Sequence, residues 1–239
     1  KLEDEKRLKE IIAMNVSRLQ MKFLSSGHVV AAMRAMSYCS PISKFKELTS
    51  GVEYYRFLSK LNDNFENEKE TLIENLQKLV KMIFSKGNMM VSYTATKEGL
   101  AGLEAELAKV RDGLYEAQQE EHRCVIHCEK KNEGFQTSSK VQFVAQAGNF
   151  LDAGKEYHGA LQILKVIMSY EYLWINIRVK GGAYGCMSNF NRIGEGYFVS
   201  YRDPNLKKTL DVYAGVPEYL KNFTVSERDM TKYIIGTIS

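Results

Sequence analysis

The sequence predicts an α+β fold in which helices pack on antiparallel sheets and the chain divides into two lobes. Three observations carry that prediction. Helical periodicity runs through most of the first half of the 239 residues. A polar, glycine-containing stretch at 130–140 marks a boundary. Beyond it, alternating segments flank one long apolar helix and close into a hairpin. The expected domains are therefore 1–129, rich in helix, and 130–239.

The elements follow in order. Leu8, Ile12, Val16, Leu19 and Phe23 recur every three or four residues, which predicts a helix over about 4–24. Ser25-Ser26-Gly27 breaks it, and a second helix runs through Ala31, Ala32, Met33 and Met36 to Ser40-Pro41. A third stretch, about 43–61, is expected to bury Phe45, Leu48, Val52, Tyr55 and Leu58. Leu72, Leu76, Leu79 and Ile83 predict a helix over about 66–84, ended at Lys86-Gly87-Asn88. Alternation of Met89, Val91, Tyr93 and Ala95 predicts a strand over 89–96, and Leu100, Leu103, Leu107, Val110 and Leu114 a helix over about 98–114.

After the boundary, Val141, Phe143, Ala145 and Ala147 alternate as a strand. Residues 159–178 form a helix that is apolar nearly all round, with Gln162, Lys165, Ser169 and Asn176 on a narrow stripe, as in a helix held inside a core. Gly181-Gly182 stops it. Strands at about 184–191 and 196–202, joined at 192–195, make a hairpin. Asp203-Pro204 has the form of a helix start, and Thr224 with Glu227 that of a capping box. Pro217, within Ala214-Gly215-Val216-Pro217, implies a kink or break.

Composition excludes several classes. Hydrophobic residues make up 44% and charged residues 26%, an ordinary globular balance. The net charge of +4, from 33 basic and 29 acidic residues, is small and dispersed, which gives no basis for nucleic-acid or membrane binding. No apolar run approaches the ~20 residues of a membrane-crossing helix. Four cysteines, Cys39, Cys124, Cys128 and Cys186, do not suggest a disulfide scaffold and fit buried or free thiols. The charged start without Met, and an end inside an apolar helix at Thr231–Ser239, give the expectation of an excised fragment.

The chemically informative run is Asn176 to Gly185. Arg178 falls in the last helical turn, where the dipole favours a cation. Gly181 and Gly182 allow a steep reversal, and Tyr184 opens the next strand. A guanidinium and a phenol aimed at one point suit a carbonyl oxygen or a developing oxyanion. On the residues alone, a dipole-paired Arg and a half-buried packing Tyr are equally open readings, and commoner ones.

Other residues read more simply in ordinary roles. His122, Cys124, His127 and Cys128 are zinc-ligand types, but their spacing lacks the two separated pairs of a structural zinc site. A strand with small soft residues is the favoured reading. His28 and His158 stand alone. Cys186 lacks a general base and reads as a packed thiol. Arg202-Asp203 reads as a salt bridge at a turn, with substrate contact the alternative, and the acidic run 116–121 as a solvated end.

The run Arg178-x-Lys180-Gly181-Gly182-Ala183-Tyr184-Gly185, followed by Ser200-Tyr201-Arg202-Asp203-Pro204-Asn205 and Thr209-Leu210, resembles presequence proteases of the pitrilysin/insulysin superfamily. Ser25-Ser26-Gly27-His28, Ala32, Arg34, Ser50-Gly51 and Tyr55-x-Phe57-Leu58 agree, so the likeness covers nearly the whole chain. That resemblance implies four homologous α+β domains in two halves closing around an unstructured peptide. On it, 1–129 would be the end of the third domain and 130–239 an incomplete fourth. Zinc would be held by H-x-x-E-H in the N-terminal half of the same polypeptide, which is the implied partner; neither that motif nor H-E-x-x-H occurs here. Arg178 and Tyr184 map to the pair that hydrogen-bonds substrate near the scissile bond, with Gly181 and Gly182 shaping the turn between them.

The implied function is the C-terminal, substrate-binding part of a zinc-dependent endopeptidase that degrades short unstructured peptides, with this chain inactive alone and no metal bound by it. The implied location is a bacterial cytoplasm, or an organelle matrix in a eukaryote. The alternatives are a non-catalytic structural or interaction homologue and a complementing subunit of a two-chain peptidase.

Overall fold

The computed structural model describes residues 2–116 and 124–238. The chain forms two compact units, Lys1–Met14 with Ser59–Val125, and Asn15–Leu58 with Ile126–Ser239. The expected α+β class is what is found: mostly helix, with one small antiparallel sheet.

The first unit takes the start of α1 (Glu5–Ser25), the end of α4 (Val52–Asp63), α5 (Phe65–Ile83) and α6 (Lys97–Asp112). Phe65 is buried beneath the Lys9 ammonium, which lies 5.5 Å from the ring centre. Lys9–Glu66 and Lys69–Glu5, at 2.9 and 2.7 Å, tie α1 to α5. Both are exposed pairs and contribute little. The half-buried stripe of α5 is Leu72, Ile73, Leu76 and Val80, while Leu79 and Ile83 face solvent.

The strand expected at 89–96 is absent. Backbone N–H and C=O groups in a strand need a ladder partner. Among the described residues none pairs with this segment, and Met90 and Val91 are exposed.

The second unit is layered on a three-stranded sheet in the order β1-β3-β2. The strands are β1 (Ala145–Asn149), β2 (Gly185–Phe190) and β3 (Glu195–Tyr201). Ala145 pairs with Val199, and Cys186 with Ser200, all antiparallel. Alternation sorts the faces of β3. The Glu195, Val199 and Tyr201 face meets α2 (Gly27–Met36) and α3 (Pro41–Ser50): His28 packs on Tyr201, and the Ser43 hydroxyl donates to Glu195. The Phe198 and Ser200 face meets the long helix and α8 (Lys207–Ala214), where Phe198 stacks on buried Tyr213. Met168, Leu173, Ile177, Ala183 and Cys186 fill the core on that side.

Four local expectations are corrected. The single helix at 43–61 is two, because Gly51 is extended (φ −105°, ψ −152°). The Glu47 carboxylate turns into the gap and accepts from the Val52 and Glu53 amides at 2.8 and 3.2 Å, satisfying orphan donors at the start of α4. Glu47 is therefore fully buried while Phe45 and Leu48 are exposed.

The long helix is not covered all round. α7 (Ala160–Ile167) continues through π-helical turns at Met168–Tyr172 and Trp174–Val179, and exposes Tyr170, Trp174, Ile175 and Val179. Asp203 does not cap a helix. It is buried, accepting from the Asn205 amide (2.8 Å) and the Thr209 hydroxyl (2.7 Å), and α8 starts at Lys207. α10 (Glu227–Ile235) is capped by Ser226, whose hydroxyl accepts from the Asp229 amide, rather than by Thr224. Between them, α8 ends at Ala214 and α9 (Val216–Lys221) begins with Pro217 in its first turn, the break that proline implies.

Candidate functional site

The π-helical register runs to the end of the long helix, where the Lys180 amide donates to the Ile175 carbonyl five residues back, at 2.9 Å. The chain then leaves by a Schellman turn: Ala183 N–H reaches Ile177 O at 3.1 Å, and Gly182 N–H reaches Arg178 O at 2.9 Å. Gly182 holds the left-handed position (φ +80°) that this turn requires. At Gly181 a Cβ would collide with the Ile177 carbonyl oxygen, so only glycine fits there. The Asn205 amide clamps the turn by donating to Gly181 O at 2.6 Å. Tyr184 then joins the sheet, donating its N–H to Tyr201 O at 3.0 Å.

This places the Arg178 guanidinium 4.0 Å from the Trp174 ring centre and 6.0 Å from that of Tyr184. Tyr184 packs edge-on against Tyr201, with ring centres 5.6 Å apart, and is 66% exposed. An open depression of about 610 Å³ is lined by Trp174, Arg178, Val179, Gly182, Ala183, Tyr184 and Arg202. Two guanidiniums and a phenol thus line one surface that carries no acid. Among the described residues, the side chains of Arg178, Tyr184 and Arg202 have ring contacts but neither hydrogen bonds nor ion pairs. Their donors remain available to an oxygen-rich ligand.

A second concentration of charge lies within the same unit and has the opposite character. Arg34 is buried and donates to Glu47 (3.1 Å), Glu53 (2.9 Å) and Glu133 (2.8 and 3.0 Å), with its guanidinium 5.2 Å from the Tyr38 ring centre. Burial alone would lower the Arg34 guanidinium, but the Glu133 hydrogen bond and the surrounding charges hold it above its ordinary value. The Arg34 hydrogen bond draws the Glu133 carboxyl down from 4.5 to about 2, with Tyr38 also donating to it. Sequence patterning missed this network, because periodicity counts apolar residues and has no signal for a buried charge.

The remaining candidates take ordinary places. Cys186 is buried on β2, and burial pushes its thiol up to about 11 despite nearby Arg178, which makes it a poor nucleophile. His158 Nδ1 accepts the Ala160 amide at 3.1 Å, at the start of α7. His28 lies half-buried between Phe143 and Tyr201, and burial lowers its pKa. Cys124 and His127 are exposed. His122, and residues 117–121 of the acidic run, lie outside the described residues. The oxygens of Asp203 are engaged internally, and no Arg202–Asp203 ion pair forms among the described residues. No group of three His, Cys, Asp or Glu side chains among the described residues is arranged to hold a metal ion.

With this geometry in place, comparison with known proteins is informative. Residues 132–239 match the family model described as PreP C-terminal domain, and residues 1–61 match a second family model, that of a peptidase-associated region. The chain is 41% identical over 237 residues to Protein HypA of Clostridium perfringens, covering 99% of this chain and 24% of that protein. It is 30% identical over 241 residues to Presequence protease 1, chloroplastic/mitochondrial, of Arabidopsis thaliana, covering 98% and 22% respectively. With Presequence protease, mitochondrial, of Drosophila melanogaster it shares 26% over 224 residues, covering 92% and 21%. The chain therefore spans about a quarter of the length of the curated relatives it matches.

Proposed function

Because this chain belongs to the presequence protease family of peptidases, we propose that it is the C-terminal, substrate-binding part of a zinc-dependent endopeptidase acting on short unstructured peptides. The observation that carries this reading is the convergence of Arg178 and Tyr184 on one open depression with no carboxylate to occupy them. A peptide carbonyl seated there would accept from the guanidinium and the phenol. Both donors would tighten as negative charge develops on that oxygen. Gly181 and Gly182 act by shape, setting the turn that separates helix end from strand start.

The residues of this chain do not fit a zinc site: H-x-x-E-H does not occur, and the described residues form no ligand cluster. The metal of the proposed enzyme is therefore assigned to residues outside this chain, with the N-terminal half of the same polypeptide as its partner. Residues 1–129 and 130–239 are taken as the end of a third domain and part of a fourth. No described helix is long and apolar enough to cross a membrane. The proposed location is a bacterial cytoplasm, or an organelle matrix in a eukaryote.

The test is Arg178→Ala and Tyr184→Phe in the full-length protein. Each is expected to lower kcat roughly 10²- to 10³-fold, with the unfolding midpoint little changed. Unaltered turnover in both would remove the pair from the site. This chain alone, mixed with peptide and zinc, is expected to show no chelator-sensitive cleavage, and its appearance would reject the division of labour.

A further inference from the structure

Arg202 has no role in the reading above, yet the backbone is distorted to present it. Tyr184 N–H faces two carbonyls of β3 and its extension, Tyr201 O at 3.0 Å and Arg202 O at 3.4 Å. Two residues thus oppose one, which is a bulge, a device that re-aims side chains at sheet rims and next to sites. Regular antiparallel pairing resumes at once, with Asp203 and Gln142 exchanging bonds of 2.8 and 3.0 Å.

Within the bulge Arg202 adopts φ +49°, the sole positive φ at a non-glycine among the described residues. That conformation is strained for an L side chain and persists where the surroundings impose it, commonly at ligand-contacting positions. Consecutive strand residues normally point to opposite faces. Here the Arg202 guanidinium instead lies 5.5 Å from the Tyr201 ring centre and lines the depression with Arg178.

The electrostatics add an independent reason. Asp203, the neighbouring acid, cannot neutralise Arg202, because its oxygens are taken by Asn205 and Thr209 inside the fold. Aromatic faces hold both guanidiniums, Trp174 under Arg178 and Tyr201 under Arg202. Stacking fixes a planar fork without consuming its N–H donors. Two pre-positioned forks with no internal counter-charge match a carboxylate, which guanidinium binds bidentately.

We propose that Arg202, with Arg178, forms a carboxylate subsite, so that this surface selects peptides bearing a carboxylate beside the segment that Tyr184 contacts. The carboxylate comes from an acidic side chain or from the peptide C-terminus. The inference rests on the depression being a peptide-binding surface, and its test reads binding rather than turnover.

Trp174 is the one tryptophan in the sequence and lines the depression, so intrinsic fluorescence reports on this site. The chain is titrated with three acetylated peptides of one sequence: a Gln form with free C-terminus, a C-terminally amidated Glu form, and an amidated Gln form. At least one carboxylate peptide is expected to bind roughly tenfold more tightly than the neutral one, with the preference shrinking as salt rises. A preferred free terminus assigns the source to the C-terminus, and a preferred Glu form assigns it to a side chain. Arg202→Gln is expected to erase the preference and Arg202→Lys to keep part of it, both with the wild-type unfolding midpoint. Equal binding of all three, a preference that survives Arg202→Gln, or no Trp174 response to any peptide overturns the subsite. Loss of turnover in Arg178→Ala and Tyr184→Phe would still support the peptide-contacting role, so the two failures are distinct.

Discussion

Arg34 and Arg178 lie in the same folded unit, each against an aromatic ring, and they differ in what meets the guanidinium fork. Around Arg34 three carboxylates take its donors and the side chain is withdrawn from water. Around Arg178 the described residues supply rings only, and the fork opens onto a depression. A buried guanidinium with matched acids holds elements together, since removing it strands charge in a low-dielectric interior. A stacked guanidinium without acids retains its donors for a ligand. The residue type is therefore uninformative until its counter-charges are counted.

The comparison can be broken most directly at Arg34. Arg34→Met is expected to lower the unfolding free energy by about 3–5 kcal/mol, read from urea denaturation, because Glu47 would be left buried and unpaired. A loss below about 1 kcal/mol would place Arg34 among ordinary surface ion pairs. At Arg178 the effects should reverse. Arg178→Met in the full-length protein is expected to change stability by less than about 0.5 kcal/mol, while kcat falls roughly 10²-fold or more.

Glu133 sharpens the contrast through pH. Glu133→Gln is expected to cost about 2 kcal/mol at pH 7. The Glu133 carboxyl is depressed in the folded state, so its stabilisation is full above the ordinary value of 4.5 and is lost as pH falls toward about 2. The variant's deficit, measured by denaturation across that range, should shrink with acidification, and a constant deficit would detach it from ionisation. The smallest effect has the opposite sign. Arg202→Asn, which places a residue tolerant of positive φ in the bulge, is expected to raise stability by about 0.5 kcal/mol. A clear loss would mean that Arg202 serves the fold as Arg34 does.

What the sequence made legible divides along the same line. Helices with a strong apolar stripe, such as α1 through Ile12 and Leu19, are readable because the stripe and the buried face coincide. The hairpin of β2 and β3, and the break before Pro217, are readable because turns and proline act locally. The segment 89–96 alternates like a strand, but alternation carries no knowledge of a pairing partner. Asp203 looks like a helix cap because its hydrogen bonds to Asn205 and Thr209 mimic one from inside a turn. Gly51 is hidden inside a helical period, since the reason for the break is a glutamate that folds back four residues away. At the site, chain order alone leaves Arg178 and Tyr184 as a helix-end cation and a packing ring. Their pairing is legible only through the family resemblance, and the bulge at Arg202 requires the backbone itself.

The Arg34–Glu133 contact joins residues 99 apart in sequence. Closing a loop of that length costs roughly 4 kcal/mol of chain entropy, which the local helices do not have to meet as they form. The contact therefore belongs late on the folding path, after α2 and α3 exist. Interactions absent from the transition state govern how fast the native state opens rather than how fast it forms. In a chevron the Arg34 network should accordingly appear in the unfolding limb, so that this buried charge cluster sets the lifetime of the folded unit.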